Sequence, residues 1–237
     1  MHENRVLSLL TQRHPECRAR LRRVEFVHGD TFGTAGRPVE YAVFPVSGMI
    51  SLVVSLANGD LVEAGMVGRD GLVGGPVVFG ATSHLNSSFC QISGTAHLLP
   101  AKDLIEIAQG DDGVRALLFA YEQFILAQAQ QTAACNAKHH ILERLSGWLL
   151  RAQATTGVGE MFLTQEFLAQ MLGVQRASVS VFAGQLQDLD LIRYRRGRLT
   201  ILDDAGLAGR ACECHARLQT ARESLLGPGD EGMRAAG

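Results

Sequence analysis

The most chemically distinctive segment of the chain is a cluster of arginines near residue 195. Residues 191–202 predict two short strands around a turn. This hairpin holds four arginines within six residues: Arg193, Arg195, Arg196 and Arg198. Guanidinium groups bind phosphate through paired hydrogen bonds, so a nucleic-acid backbone is a ligand that the hairpin fits. The chain has 22 basic and 24 acidic residues and a formal charge of -2, so such binding has to come from a local patch. A solvated hairpin with scattered charge is the alternative.

The segment before this hairpin predicts two helices joined by a short turn. Thr164 is a good N-cap residue, and residues 165–172 have the pattern of a short amphipathic helix. Gly173 ends that pattern and supplies the left-handed residue that a tight turn between helices requires. A second helix is expected over about 175–189. Two helices around a short turn with glycine form the helix-turn-helix arrangement that reads DNA, and the arginine hairpin takes the position of a wing.

A long helix is expected upstream of these elements. Residues from Val114 to about Ala137 contain no Gly or Pro, and Asp111 and Asp112 can cap the start. Six side chains lie on one stripe of this helix: Leu117, Tyr121, Phe124, Gln128, Gln131 and Cys135. The length favours a seam between two protomers, because one small β-domain cannot cover so long a stripe. Packing of the helix on its own β-domain is the alternative.

The first hundred residues predict β structure. From Val24 to Leu99, short apolar stretches are separated by turn residues, a spacing that is typical of a sandwich or barrel. Asn58-Gly59 between two such stretches predicts a tight hairpin with positive φ at both residues. The apolar runs are too short to cross a membrane and the N-terminus lacks an export signal, so we expect a cytoplasmic protein that does not associate with membranes.

Residues 163–174, 176–179 and 191–201 resemble the winged-helix end of Crp/Fnr-type transcription regulators. The β-rich first part and the long helix are similar to the jelly-roll effector domain and the dimer helix of that family. The resemblance implies an α+β fold with an N-terminal antiparallel β jelly roll, cyclic-nucleotide-binding-like, at 1–110. A long dimerisation helix at 111–137 and a C-terminal winged helix-turn-helix at 138–226 would follow it. The tail, 227–237, is expected to be disordered.

The resemblance also implies a sequence-specific regulator that is not an enzyme. It would bind double-stranded DNA as a homodimer, on a palindromic operator with half-sites about 34–36 Å apart. Arg176 stands where the family commonly reads guanine, whereas Ala177 and Val181 stand where many relatives have glutamate and arginine, so we expect a different half-site. The residues expected to contact DNA are Thr164, Gln165, Gln175, Arg176, Ala177, Ser178, Ser180, Val181, Arg195, Arg196 and Arg198. RNA polymerase and an unidentified small-molecule effector are further implied partners.

The effector domain lacks the residues with which relatives bind cyclic nucleotides. No glutamate follows the glycines of 71–80, and no arginine lies between Gly71 and Ala101, so a cyclic phosphate would have no cationic partner. Only Cys17 lies near the N-terminus, which argues against an iron–sulfur cluster of four thiolates. The histidines form no distinctive haem pattern.

Cys212, Cys214 and His215 are the remaining candidate metal ligands. Cysteines two apart on a helix point to nearly opposite faces, so Cys212 and Cys214 would not share an ion. Cys212 and His215, three apart, could bind the same ion. Two ligands do not make a metal site, however, so we expect neither metal nor cofactor. The sequence has no nucleophile elbow and no P-loop. The alternatives to a DNA-binding regulator are a jelly-roll enzyme that binds a metal and a winged helix that contacts protein.

Overall fold

The computed structural model describes residues 4–227. It shows an α+β chain with a β-rich first part, a long helix and a C-terminal helical part with a small sheet, which confirms the expected fold class. Residues 228–237, most of the tail predicted to be disordered, lie outside the described residues. Within residues 4–227, no helix is both long enough and apolar enough to cross a membrane.

The first part is built from two antiparallel sheets and two flanking helices. Its elements are α1 (Arg5–Arg13), β1 (Arg22–Phe26), β2 (Thr31–Gly33), β3 (Tyr41–Pro45), β4 (Met49–Ser55), β5 (Leu61–Val67), β6 (Ser87–Ile92), β7 (Gly94–Pro100) and α2 (Ala101–Gly110), with 3-10 turns at Pro15–Arg20 and Gly75–Phe79. One sheet has the order β1-β7-β3 and the other β2-β6-β4-β5. Inward side chains of both sheets, among them Phe26, Val43, Ile50 and Cys90, form one buried cluster, so the arrangement resembles a jelly roll.

The hairpin predicted at Asn58-Gly59 joins β4 to β5, but its turn differs from the prediction. Gly59 has a φ of 89°, whereas Asn58 does not have a positive φ. The Asn58 side chain accepts a hydrogen bond from the backbone N–H of Asp60 at 3.1 Å. Because that side chain stabilises the turn locally, Asn58 does not need the left-handed conformation that a two-residue turn demands.

The long helix is α3 (Asp112–Lys138), which confirms the helix predicted from Val114 to about Ala137. Asp111 caps its start by accepting hydrogen bonds from the backbone N–H groups of Gly113 and Val114. His139 and His140 are extended and interrupt the helical path before the next helix begins. The two parts of the chain are therefore joined by a stiff helix with a break at its C-terminal end.

The C-terminal part follows this break and ends beside the long helix. Its elements are α4 (Ile141–Thr156), β8 (Glu160–Phe162), α5 (Gln165–Leu172), α6 (Arg176–Asp188), β9 (Ile192–Arg195), β10 (Arg198–Ile201), α7 (Asp204–Ala208) and α8 (Cys214–Leu226). Strands β8, β10 and β9 form an antiparallel sheet in that order. Helix α8 turns back and packs along α3.

The α3 stripe predicted as the dimer seam is covered by its own chain. Leu117 is half-buried, whereas Tyr121, Phe124 and Gln128 are buried. The side-chain oxygen Oε1 of Gln128 accepts a hydrogen bond from the backbone N–H of Met66 in β5 at 3.2 Å. This half of the stripe therefore packs on the β-rich part of the same protomer, as in the alternative interpretation.

The C-terminal half of the same stripe contacts α8 and the residues before it. Gln131 Nε2 donates to the sulfur of Cys214 at 2.9 Å, and the sulfur of Cys135 lies 3.5 Å from that of Cys212. These contacts leave Gln131 and Cys135 half-buried, so the dimer seam predicted here stays a prediction, although it counted only the β-domain as a possible cover. Helix α8 supplies the rest of the cover.

The opposite face of α3 is exposed, and we call its regular row of side chains the outer stripe. Its members, all exposed except the half-buried Gln123, are separated alternately by three and four residues: Ala116, Phe119, Gln123, Leu126, Gln130, Ala133 and Ala137. Phe119 is 54% exposed and Leu126 is 49% exposed. This alternation is the pattern of a helix that packs along a second helix. Its two large apolar side chains remain about half exposed, although the ring of Phe119 contacts that of Phe79 edge to face at 5.9 Å between centroids.

Candidate nucleic-acid interface

Helices α5 and α6 form the predicted helix-turn-helix around Gly173. Thr164 caps α5, because its Oγ1 accepts a hydrogen bond from the backbone N–H of Phe167 at 3.1 Å. Gly173 has a φ of 61°, and the backbone N–H of Val174 donates to the carbonyl of Ala169, as in a left-handed helix ending. Buried side chains of both helices belong to one core, so the angle between the helices is fixed by packing.

Helix α6 has one buried side and one exposed side. Val179, Ala183 and Leu186 form the buried side. The predicted contact residues at the start of the helix are exposed, with Ser178 half-buried: Gln175, Arg176, Ala177, Ser180 and Val181. Val181 is 57% exposed, which gives this helix face an apolar spot between polar groups.

Strands β9 and β10 form the wing, and the predicted turn lies at its tip. Arg196 and Gly197 have φ values of 53° and 78°, so a bulky side chain adopts a conformation that favours glycine. In the ladder, Arg195 lies directly opposite Arg198. Like charges in opposite positions repel each other, and a bound anion would relieve that repulsion. Arg198 also forms an ion pair with Glu160, its Nη1 lying 2.7 Å from the carboxylate Oε1.

A cleft between α5, the start of α6 and the wing tip brings together residues from all three elements. Four of the predicted contact residues line it: Thr164, Gln165, Arg176 and Arg196. Among the described residues, Glu166 is the one acidic residue that lines the cleft, which otherwise combines a hydroxyl, an amide and two guanidinium groups beside two helix N-termini. These are the groups that bind phosphate oxygens in proteins. The remaining predicted residues lie on the exposed face of α6 and along the wing, outside the cleft.

Two aromatic residues of this cleft were not among the predicted site residues. Phe162 is 53% exposed and contacts the cleft from β8, and Tyr194 does so from β9. The Tyr194 hydroxyl donates to the carbonyl of Leu163 at 2.6 Å, and burial raises its pKa to about 12, so the phenol stays protonated. The alternation of buried Met161, exposed Phe162 and buried Leu163 was a signal for β8, but a strand of three residues is too short to stand out.

A second cavity lies in the β-rich part, beside the glycine segment that begins at Gly71. It is lined by Leu72, Gly74, His84 and Glu122 among others, and none of its described lining residues is lysine or arginine. Burial raises the pKa of Glu122 to about 7. An anion in this cavity would therefore meet a carboxyl group and no cation.

The expectation that Cys212 and Cys214 point apart is wrong. Helix α8 begins at Cys214, so Cys212 lies before the helix and the helical angle between the two residues does not apply. Their sulfur atoms, that of Cys135 and a ring nitrogen of His139 all lie within 4.8 Å of one another. This group of four side chains joins the end of α3 to the start of α8.

Comparison with known proteins agrees with the geometry. Residues 143–210, from α4 to just beyond α7, match the family described as the Crp-like helix-turn-helix domain. A search of curated protein sequences finds no significant match.

Several solved structures share the fold over most of the chain. FixK2 from Bradyrhizobium japonicum is 18% identical, with a TM-score of 0.71 over 81% of this chain and 98% of FixK2. A CRP-family transcriptional regulator from Thermus thermophilus is 18% identical, with a TM-score of 0.66 over 81% of this chain and 99% of that one. The c-di-GMP-responsive global regulator CLP from Xanthomonas campestris is 14% identical, with a TM-score of 0.64 over 83% and 99% of the two chains. These matches confirm the predicted resemblance: the chain carries a Crp-like helix-turn-helix domain and has the fold of Crp/Fnr-type transcription regulators.

Proposed function

We propose that this chain is a cytoplasmic transcription regulator that binds a palindromic operator in double-stranded DNA as a homodimer. The observation that carries the proposal is the cleft in which Thr164, Gln165, Arg176 and Arg196 meet between two helix N-termini and the wing. In this proposal residues 1–110 are the sensor, 111–137 the dimerisation helix and 138–226 the DNA-binding domain. The protein has no catalytic role, and RNA polymerase is its partner at the promoter.

In the proposed complex, α6 enters the major groove and the wing follows the backbone. Arg176 donates two hydrogen bonds to a guanine, and Ala177 and Val181 contact thymine methyl groups. The phosphate contacts come from the N-termini of both helices and from the wing. The contacts near the helix N-termini are supported by the side chains of Gln175, Ser178 and Ser180. The contacts from the wing are made by Arg195, Arg196 and Arg198. A phosphate between Arg195 and Arg198 would separate two charges that face each other in the ladder.

The outer stripe of α3 is the surface that we propose for the homodimer. It is exposed, it follows the spacing of a two-helix seam, and it contains Phe119 and Leu126. Of the six residues first predicted for this role, Tyr121, Phe124 and Gln128 are buried by their own chain and the other three are half-buried, so in this proposal they attach α3 within each protomer. Two recognition helices held by such a seam would lie one DNA turn apart.

The sensor and the DNA-binding part touch each other through a buried polar contact. Glu63 of β5 accepts hydrogen bonds from the Ser51 hydroxyl at 2.6 Å and from the indole N–H of Trp148 in α4 at 2.8 Å. We propose that an effector other than a cyclic nucleotide acts by changing how the two parts dock, with the break at His139 and His140 as the hinge. Such an effector has to bind one arrangement better than the other.

The proposal is tested by measuring the affinity of Arg176→Ala and Arg195→Ala for an operator duplex and for its single-base-pair variants. Arg176→Ala should lose about 1–3 kcal/mol, concentrated on one base pair, because it removes a base contact. Arg195→Ala should weaken binding to all duplexes about equally, because it removes a phosphate contact. The slope of log affinity against log salt concentration should become shallower by about 1. Arg23→Ala, which removes an exposed arginine on β1, is the control and should change neither quantity. Equal effects of all three substitutions would contradict the proposal.

A further inference from the structure

The end of the long helix and the start of the last helix hold a compact group of metal-binding side chains. Cys135 and His139 lie one turn apart at the end of α3, and Cys212 and Cys214 lie at the start of α8. One ligand atom from each residue lies within 4.8 Å of all the others. Two of the four residues are thus separated from the other two by more than seventy positions, and the fold alone brings them together.

The distances agree with a tetrahedral site. A zinc ion with Zn–S bonds of about 2.3 Å and a Zn–N bond of about 2.0 Å places neighbouring ligand atoms about 3.5–3.8 Å apart. The sulfurs of Cys135 and Cys212 are 3.5 Å apart, and the sulfur of Cys214 lies 3.4 Å from Nδ1 of His139. Two of the six separations therefore match a tetrahedral zinc site, and none of the six exceeds 4.8 Å.

The groups around the four ligands also suit a bound cation. Nε2 of His139, the ring nitrogen that would remain free, lies 3.3 Å from a carboxylate oxygen of Glu213. A histidine that binds zinc through one nitrogen usually donates the other N–H to a carboxylate or carbonyl. Gln131 Nε2 donates to the sulfur of Cys214 at 2.9 Å, as an amide does to a thiolate ligand. The contacts made by Glu213 and Gln131 thus orient His139 and Cys214, two of the four ligands.

The charge of such a site would be balanced locally. Binding of Zn²⁺ to three cysteine thiols and one neutral histidine releases three protons to solvent and leaves a complex with a charge of about −1. Arg144 and Arg151 line the same cavity as the three cysteines. Nε of Arg144 is buried without a hydrogen-bond partner among the described residues. A negative complex beside these guanidinium groups would stabilise their charge.

We propose that Cys135, His139, Cys212 and Cys214 form a Zn²⁺ site that fastens the last helix of the DNA-binding part to the end of the long helix. Three thiolates and an imidazole select zinc over the hard cations Mg²⁺ and Ca²⁺, and four protein ligands leave no open position for catalysis. The site is structural. Because its ligand His139 is the first residue of the break, the ion fixes the end of α3 and the start of α8 and leaves His140 as the hinge residue before α4.

The first experiment measures zinc in the full-length chain, purified under reducing conditions without chelator and without a histidine tag. One zinc per chain is expected by elemental analysis. Chain stripped of metal and titrated with Co²⁺ should show the intense visible bands of tetrahedral cobalt and the near-ultraviolet bands of sulfur–cobalt charge transfer. Adding Zn²⁺ should abolish both. A reduced chain that contains no zinc and gives no such bands would overturn the proposal, as would a Cys135–Cys212 disulfide in the protein as isolated.

Variants identify the ligands. Cys135→Ser, Cys212→Ser, Cys214→Ser and His139→Gln should each weaken Co²⁺ binding by more than about 100-fold, and Glu213→Gln by about 10–100-fold, because Glu213 only orients His139. Cys17→Ala and Cys90→Ala remove buried cysteines elsewhere and should keep full binding. Metal lost on His215→Gln and kept on His139→Gln would overturn the ligand set. These measurements do not involve DNA, so they are independent of the proposed regulatory function.

Discussion

Replacing Leu126 by Glu should separate the proposed dimer, because the outer stripe would then carry a charge where two helices meet. Leu126 is 49% exposed in the single chain. Full burial of a leucine stabilises by about 1.5–3 kcal/mol, so covering the exposed half contributes about 1 kcal/mol per protomer and about 2 kcal/mol per dimer. Two carboxylates brought together add a repulsion of about 1 kcal/mol. The sum of about 3 kcal/mol corresponds to an increase of the dimer dissociation constant by about 100-fold.

Sedimentation equilibrium over a range of protein concentrations measures this dissociation constant directly. Leu56→Glu is the matched control, because Leu56 is also 49% exposed and lies in the hairpin between β4 and β5 rather than on α3. It should leave the dissociation constant unchanged, and circular dichroism should show that both variants are folded. A shift of less than about threefold for Leu126→Glu, or an equal shift for both variants, would refute the reasoning that places the seam on the outer stripe.

Two further predictions concern the free energy of unfolding. Burial raises the pKa of Glu63 to about 7 in the folded chain, above its value of about 4.3 in the unfolded chain. The folded chain then holds this proton more tightly, so the free energy of unfolding falls by about 3 kcal/mol as the pH rises from about 4 to 8. Glu63→Gln should remove that part of the fall, seen as a smaller difference between urea titrations at pH 5 and pH 8, and parallel pH profiles of the two proteins would contradict it. The pKa of Glu122 is also raised, so Glu122 lowers the free energy of unfolding over the same pH range, and it is present in both proteins. Thr164→Ala removes the cap of α5 and should lower the free energy of unfolding by about 1 kcal/mol at either pH, whereas an unchanged urea midpoint would show that the cap contributes nothing.

Local patterns predicted the helix-turn-helix well. The cap at Thr164, the left-handed Gly173 and the turn at Arg196 and Gly197 depend on residues that are neighbours in sequence, and all three are present. Asn58 shows the limit of the same reasoning. Its dipeptide predicts a two-residue turn, but the hydrogen bond that its side chain accepts from the backbone N–H of Asp60 selects another conformation.

The packing of α3 could not be predicted in this way. Which face of a long helix is covered depends on every element that packs against it. Helix α8, which covers part of α3, begins more than seventy residues after α3 ends. The spacing of Phe119 and Leu126 by seven was visible in the sequence, but so was the competing stripe through Tyr121 and Phe124. Of the cluster around Cys135, the sequence indicated only Cys212 and Cys214 as candidate ligands, because the two halves meet only when α8 packs against α3.

The central claim is that the chain recognises a specific symmetric DNA sequence, and selection from random duplexes tests it most directly. Purified protein without added effector is incubated with a random duplex pool at two salt concentrations, and the retained fragments are sequenced. We predict a palindrome whose half-sites are about 10 base pairs apart from centre to centre, with a guanine in each half-site that Arg176→Ala no longer selects. Retained fragments that share no symmetric sequence at either salt concentration would contradict the claim.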